Sequence, residues 1–215
     1  MKKVEYEGDV KAYVDSYDLM NHGIWNDGTP EILKARGHIR LHYLREQDFR
    51  CAYCRIQKKE KHGMTWDVEH ILPKSKYPEF LFEPENLAIA CKECNGSKDD
   101  QDILQRGLGR KKQYPCASDA FTIVHPHYDK YSEHIEISIV EGKRRYRVLN
   151  KDKGKQTYIA CNFFRFDFEY GEWESFDDAI VTYVSSFLDK CPVDATPQEI
   201  KRHLSHMSFV VNCDF

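Results

Sequence analysis

Two short stretches decide how this sequence folds: Phe49-Arg50-Cys51-Ala52-Tyr53-Cys54-Arg55, and Cys91-Lys92-Glu93-Cys94-Asn95-Gly96-Ser97-Lys98. Each holds a Cys-x2-Cys knuckle, and 36 residues lie between Cys54 and Cys91. Two residues between thiolates let both sulfurs turn toward one ion, and two such turns complete a tetrahedron. Soft thiolates favour Zn2+ over Mg2+ or Ca2+, and four cysteines leave no open position, so Cys51, Cys54, Cys91 and Cys94 are expected to hold a structural zinc. The separation exceeds the usual ribbon spacing, so something is inserted between the knuckles. Cys116, Cys161, Cys191 and Cys213 are isolated and expected to act as small buried hydrophobes.

The insertion contains Asp67-Val68-Glu69-His70-Ile71-Leu72-Pro73 and then Glu85-Asn86-Leu87. Thr65–Ile71 and Asn86–Ala90 read as strands and Cys94 to about Ile103 as a helix. In a regular strand Glu69 and His70 point to opposite faces, so a carboxylate can face a metal while an imidazole addresses a substrate. Oxygen donors such as the Glu69 carboxylate and the Asn95 amide suit a hard ion, Mg2+ or Mn2+, and leave most of its octahedron for water and phosphate.

In this order, Cys-x2-Cys, Val68-Glu69-His70-Ile71-x-Pro73, Asn86-Leu87 and Cys-x2-Cys-Asn95-x2-Lys98 resemble the HNH endonucleases with their ββα-metal core. The resemblance implies His70 as general base and Asn86 as the residue that holds the loop and orients that base. It implies Glu69, where Asp is commoner, and Asn95 as ligands of a catalytic Mg2+ or Mn2+, and Lys98 as a phosphate contact. The expected reaction is phosphodiester hydrolysis, in DNA in preference to RNA, leaving a 5′-phosphate and a 3′-hydroxyl. A looser resemblance, in Pro73-Lys74-Ser75-Lys76-Tyr77-Pro78, Val124-His125-Pro126, Asp129 and His134-Ile135-Glu136, is to HNH effector subunits of bacterial anti-phage systems. Those Septu and retron-associated nucleases work beside an ATPase subunit, which the resemblance implies here as a partner.

Working outward, Thr29-Pro30-Glu31 reads as a helix start, with an apolar face of Ile32, Ala35, Ile39 and Tyr43 through about Gln47. Residues up to about Gly28 show weak periodicity and carry no assignment. His134–Val140 pairs with Arg144–Leu149 as a hairpin. Ser175-Phe176-Asp177-Asp178 and Thr196-Pro197-Gln198-Glu199 read as capping boxes that open two helices, the second running to about Met207. His125-Pro126-His127-Tyr128 reads as a Pro-kinked loop with surface histidines rather than a second metal site. The expected fold is therefore α+β: an N-terminal helical segment (1–48), an HNH core with a four-cysteine zinc ribbon (49–105), and an α+β C-terminal extension (106–215).

Across its 215 residues the chain carries 32 Lys+Arg against 35 Asp+Glu, a net charge of -3. That sum conceals basic stretches, nine Lys/Arg between Lys34 and Lys61 among them, and an acidic run after Phe166 that an ATPase partner could face. Arg40, Arg45, Arg50 and Arg55 flank the first knuckle, and Arg50 and Arg55 are expected to contact nucleic acid. No apolar run is long enough to span a membrane, and Met1-Lys2-Lys3-Val4-Glu5 leads into no secretory stretch, so a cytoplasmic location is expected. The competing readings are a non-catalytic zinc ribbon that binds nucleic acid and a toxin or adaptor acting by protein contact. Neither needs Glu69, His70, Asn86 and Asn95 together.

Overall fold

The computed structural model describes residues 1–105, 113–140, 143–149, 152–168 and 195–213. The backbone divides into two compact units, Met1–Asp129 and Lys130–Phe215.

In the first unit, α1 (Gly8–Asp15) packs on α2 (Pro30–Glu46), whose buried residues are Ile32, Ala35, Ile39, Tyr43 and Leu44. Pro30 opens α2 as expected because its fixed φ suits the first turn; Thr29 is extended but makes no side-chain cap. The apolar stripe of α2 lies against a two-stranded antiparallel sheet, β1 (Trp66–His70) and β2 (Leu87–Cys91), paired from Trp66↔Cys91 to His70↔Leu87. All five residues of β2 are buried, which its unbroken apolar run Leu-Ala-Ile-Ala-Cys requires. Helix α3 (Lys92–Lys98) follows without a loop, giving the order strand, long loop, strand, helix. It stops short of Ile103 because Asp99 adopts a left-handed φ of 45°.

The expected boundaries at 48 and 105 both fall inside this unit. Tyr43 donates to the Pro84 carbonyl (2.7 Å), and the His127 ring donates from Nε2 to the Leu87 carbonyl (2.9 Å). These contacts tie the N-terminal helix and residues 113–129 to the sheet. The loop at 125–128 corrects its sequence reading: His125 is fully buried, hydrogen-bonded to Tyr114 (2.9 Å) and stacked on Tyr128, with ring centroids 4.2 Å apart. Cys116, expected to be buried, is exposed.

In the second unit, β3 (Ile135–Val140) and β4 (Lys143–Val148) form the expected hairpin. Tyr146 packs on Phe163 and Phe166, at 4.6 and 4.8 Å between centroids, around α4 (Lys153–Ala160) and α5 (Arg165–Phe168). At Gly154 any Cβ would meet the His134 carbonyl at 2.4 Å, so only glycine lets α4 approach. Helix α6 (Pro197–Cys213) opens on a true capping box: Thr196 and Glu199 exchange side-chain and backbone bonds of 2.8–3.3 Å. It continues past the expected end at Met207. The helix expected from Ser175, Cys191 and the acidic run after Phe168 lie outside the described residues. Among the described residues, no helix is long and apolar enough to cross a membrane.

Candidate active site and metal centre

The first knuckle is a tight turn: Cys51 N–H donates to Ile56 (3.0 Å), Arg55 N–H donates to Cys51 (3.1 Å), and Arg55 has φ 57°. Buried Gln47 fastens it to β2, donating to the Arg50 and Ile89 carbonyls (both 2.8 Å) and accepting from Ile89 N–H (2.7 Å). The second knuckle joins the end of β2 to the first turn of α3. The result brings the Cys51, Cys54, Cys91 and Cys94 sulfurs within 4.8 Å of one another, all buried. Cys54 and Cys91 stand 3.7 Å apart, far longer than a disulfide. A tetrahedral zinc centre with four sulfur bonds of about 2.3 Å has edges near 3.8 Å, so the set has the dimensions to hold one metal ion. Burial opposes ionisation of Cys51, but hydrogen bonds from the three other thiols and from Cys91 N–H bring its thiol well below the usual range.

Strand alternation on β1 sorts the adjacent site residues. Asp67 and Glu69 face α3: Asp67 accepts from Lys92 and from Asn95 Nδ2 (2.9 Å). Glu69, only 3% exposed, takes the Lys98 ammonium (2.7 Å) and the Tyr53 hydroxyl (2.9 Å), both on Oε1. His70 faces the other way, against Trp25, with ring centroids 4.5 Å apart at 82°. The Leu81 carbonyl lies 3.1 Å from His70 Nε2 and can only accept, so Nε2 carries the proton and Nδ1 keeps its lone pair. Asn86 holds that carbonyl in place. Its Nδ2 donates to Leu72 and to Phe80, the neighbour of Leu81 (both 3.1 Å), and its Oδ1 accepts from Leu72 N–H (2.6 Å). Desolvation by burial, helped by the positive charge of Lys74, pulls His70 down to a pKa of about 3, so its imidazole is neutral.

Glu69, His70 and Asn95 all border one cavity of about 400 Å3, shared with His22, Asn26, Lys74, Ser75, Asp99 and Asp100. Asn86 stands behind it, fully buried. Arg50 and Arg55, the expected nucleic-acid contacts, do not border this cavity; exposed Arg50 lies 3.4 Å from Asp48. The cations near His70 are instead Lys74, Arg36 and Lys98. Lys98 also corrects its sequence reading. It is fully buried and its ammonium is committed to Glu69 and to the His70 carbonyl (3.1 Å), so it fixes the carboxylate rather than meeting phosphate. Sequence reading missed Trp25, His22, Asn26 and Tyr53. Only the aromatic-polar cluster His22-Gly23-Ile24-Trp25-Asn26 hinted at the first three, and without periodicity it pointed nowhere.

The buried pair sets a measurable expectation. Lys98→Met strands a carboxylate in a dry site and is expected to lower stability by about 3–5 kcal/mol in urea unfolding, with Lys98→Met/Glu69→Gln recovering part of the loss. Equal stability of wild type and Lys98→Met would show that the pair is not formed.

The HNH endonuclease family profile matches residues 51–101, the segment running from the first knuckle through β1, β2 and α3. The chain is 32% identical over 134 residues to the Septu protein PtuB of Bacillus thuringiensis, covering 62% of this chain and 44% of that protein. It is 32% identical over 68 residues to protein ea31 of Escherichia phage lambda, covering 32% of this chain and 19% of that one. The chain thus spans less than half the length of either relative. No solved structure matches it. Residues 51–101, which carry both cysteine knuckles, β1, β2 and α3, are thus the part of this chain that matches the HNH endonuclease family.

Proposed function

We propose that the chain is a metal-dependent endonuclease that hydrolyses phosphodiester bonds in DNA, with a structural zinc on its four clustered cysteines. The observation that carries this reading is His70: neutral, with Nε2–H committed to Leu81, and bordering one cavity with Glu69 and Asn95. In that arrangement Nδ1 accepts a proton from the attacking water, and the Leu81 carbonyl stabilises the imidazolium that forms. Asn86 acts one step removed, by fixing the strand of loop that bears this carbonyl.

The donor set fits a hard divalent ion. Both partners of Glu69 engage Oε1, so Oε2 remains for a further ligand, and Asn95 spends its amide N–H on Asp67, which leaves Oδ1. Glu69 and Asn95 would hold Mg2+ or Mn2+, which when bound supplies positive charge beside the scissile phosphate and the departing oxygen. Lys98 and Tyr53 keep Glu69 in place, and Lys74 is the cavity's own cation for a phosphate oxygen. Likeness to a Septu protein supports a place in anti-phage defence, and the looser resemblance to HNH effector subunits implies an ATPase subunit as partner.

Incubation with supercoiled plasmid tests the core of this reading. Nicked and linear DNA are expected with Mg2+ or Mn2+, and none with EDTA. Binding of plasmid without strand cleavage in either metal would favour a non-catalytic zinc ribbon and overturn the proposal. Parallel incubation with RNA decides the substrate, and copurification of a large ATPase with the native protein tests the partner.

A further inference from the structure

The wall of the cavity opposite the HNH segment comes from residues 22–26, outside the region that the family profile covers. This short helical turn is set by Asn21, whose side chain accepts from Gly23 N–H, and it presents His22 and Asn26 to the cavity while burying Trp25. Trp25 is 5% exposed and touches two parts of the site at once. Its ring meets the His70 imidazole at 4.5 Å in an edge-to-face contact, and lies 5.9 Å from Phe82, next to the Leu81 carbonyl that accepts from His70. Arg36 on α2 secures the tryptophan from behind, donating to the Trp25 carbonyl (3.2 Å) with its guanidinium 5.7 Å from the ring centre. The imidazole therefore has two restraints: a hydrogen bond at Nε2 and an aromatic wall that blocks rotation of the ring about its bond to the chain.

The geometry points to Trp25 as a positioning residue of the cleavage site, holding the His70 ring so that Nδ1, and not Nε2, is the atom offered to the substrate. This inference rests on the nuclease reading for its kinetic consequence but not for its structural one. A hydrogen bond to one carbonyl alone leaves the ring able to turn; an abutting indole fills the space through which the ring plane would have to swing. Trp25 acts through His70 and touches no reacting atom.

Two readouts test it. In wild type, nitrogen–proton correlation spectra of the imidazoles are expected to show His70 as a single Nε2–H tautomer, and Trp25→Leu is expected to show both tautomers. In the plasmid assay with Mg2+, Trp25→Leu is expected to lower kcat by about 10–100-fold with KM changed by less than about twofold, the signature of a misaimed group. Trp25→Phe keeps an aromatic wall and should return kcat to within about threefold of wild type. A Trp25→Leu protein that keeps the single tautomer and wild-type kcat overturns the inference, as does Trp25→Phe performing no better than Trp25→Leu in both readouts. Should Trp25→Leu fail to fold, Arg36→Gln loosens the same indole from outside; mixed tautomers support the inference and a single tautomer overturns it. If wild type cleaves nothing, the nuclease reading fails while the tautomer measurement still decides the positioning role.

Discussion

His70→Ala is expected to abolish metal-dependent plasmid cleavage, lowering the rate by about 10²–10⁴-fold, the usual contribution of a placed general base. Among the described residues, His70 is the imidazole that borders the cavity with Glu69 and Asn95 and has its Nε2–H held by a carbonyl, which leaves Nδ1 to accept a proton. His22 also borders the cavity, but it has no carbonyl partner of this kind among the described residues and lies outside β1. Far-UV circular dichroism and bound zinc are expected to stay at wild-type values, because His70 contributes nothing to the four-thiol cluster. A His70→Ala protein that nicks plasmid at the wild-type rate would remove His70 from the chemistry.

The same residue has a pH signature. A solvated histidine titrates near 6.5, whereas His70 in the folded chain does so at about 3 because burial penalises the imidazolium. The imidazole is therefore unprotonated throughout the neutral range, and if it serves as the base, wild-type cleavage should show no inflection near pH 6.5. For stability the sign is fixed: below 6.5 the unfolded chain takes up a proton that the folded chain refuses. His70 thus costs nothing above 6.5, and folding loses stability as pH falls from 6.5 toward 3, at up to about 1.4 kcal/mol per pH unit. Urea midpoints of wild type and His70→Gln, compared between pH 7 and 4, isolate this slope from that of His127, whose burial also depresses its titration.

How much of this was legible in the sequence follows the range of the interactions. Elements driven by local pattern read correctly: the alternation and apolar runs of β1 and β2, the Thr29-Pro30 start of α2, the β3–β4 hairpin and the Thr196–Glu199 box. The cysteine knuckles were legible because four thiols that converge on one point impose their spacing on the chain. What failed to read depends on partners distant in sequence. Lys98 looks like a surface cation until Glu69 and the His70 carbonyl enclose it. The His22–Asn26 turn has neither a helical nor a strand period, since five residues held by Asn21, Arg36 and His70 need none. His125 reads as a polar loop residue because nothing local announces Tyr114 and Phe121 closing over it.

Cys51→Ser, or prolonged chelation, is expected to unfold the first unit and with it to end cleavage. The four sulfurs are where the 50–57 turn, the end of β2 and the start of α3 meet, and the surrounding side chains, Tyr53 among them, are fully buried. Tyr53 in turn donates to Glu69, so the cluster and the Glu69–His70 cavity share a wall. Structural zinc contributes about 10–16 kcal/mol in small zinc domains, comparable to or above the net stability of a whole domain. One lost ligand is accordingly expected to lower Tm by more than about 15 °C, with a red shift of the emission from buried Trp25 and Trp66. Elemental analysis should find one zinc per chain in wild type and a reduced amount in Cys51→Ser. Cys116→Ser supplies the control, since that thiol is exposed and outside the cluster, and should match wild type in Tm, zinc and cleavage. Wild-type protein without bound metal, or a Cys51→Ser protein melting with wild type, would show that the four thiols are packed as a metal-free core and that the knuckles fold without an ion.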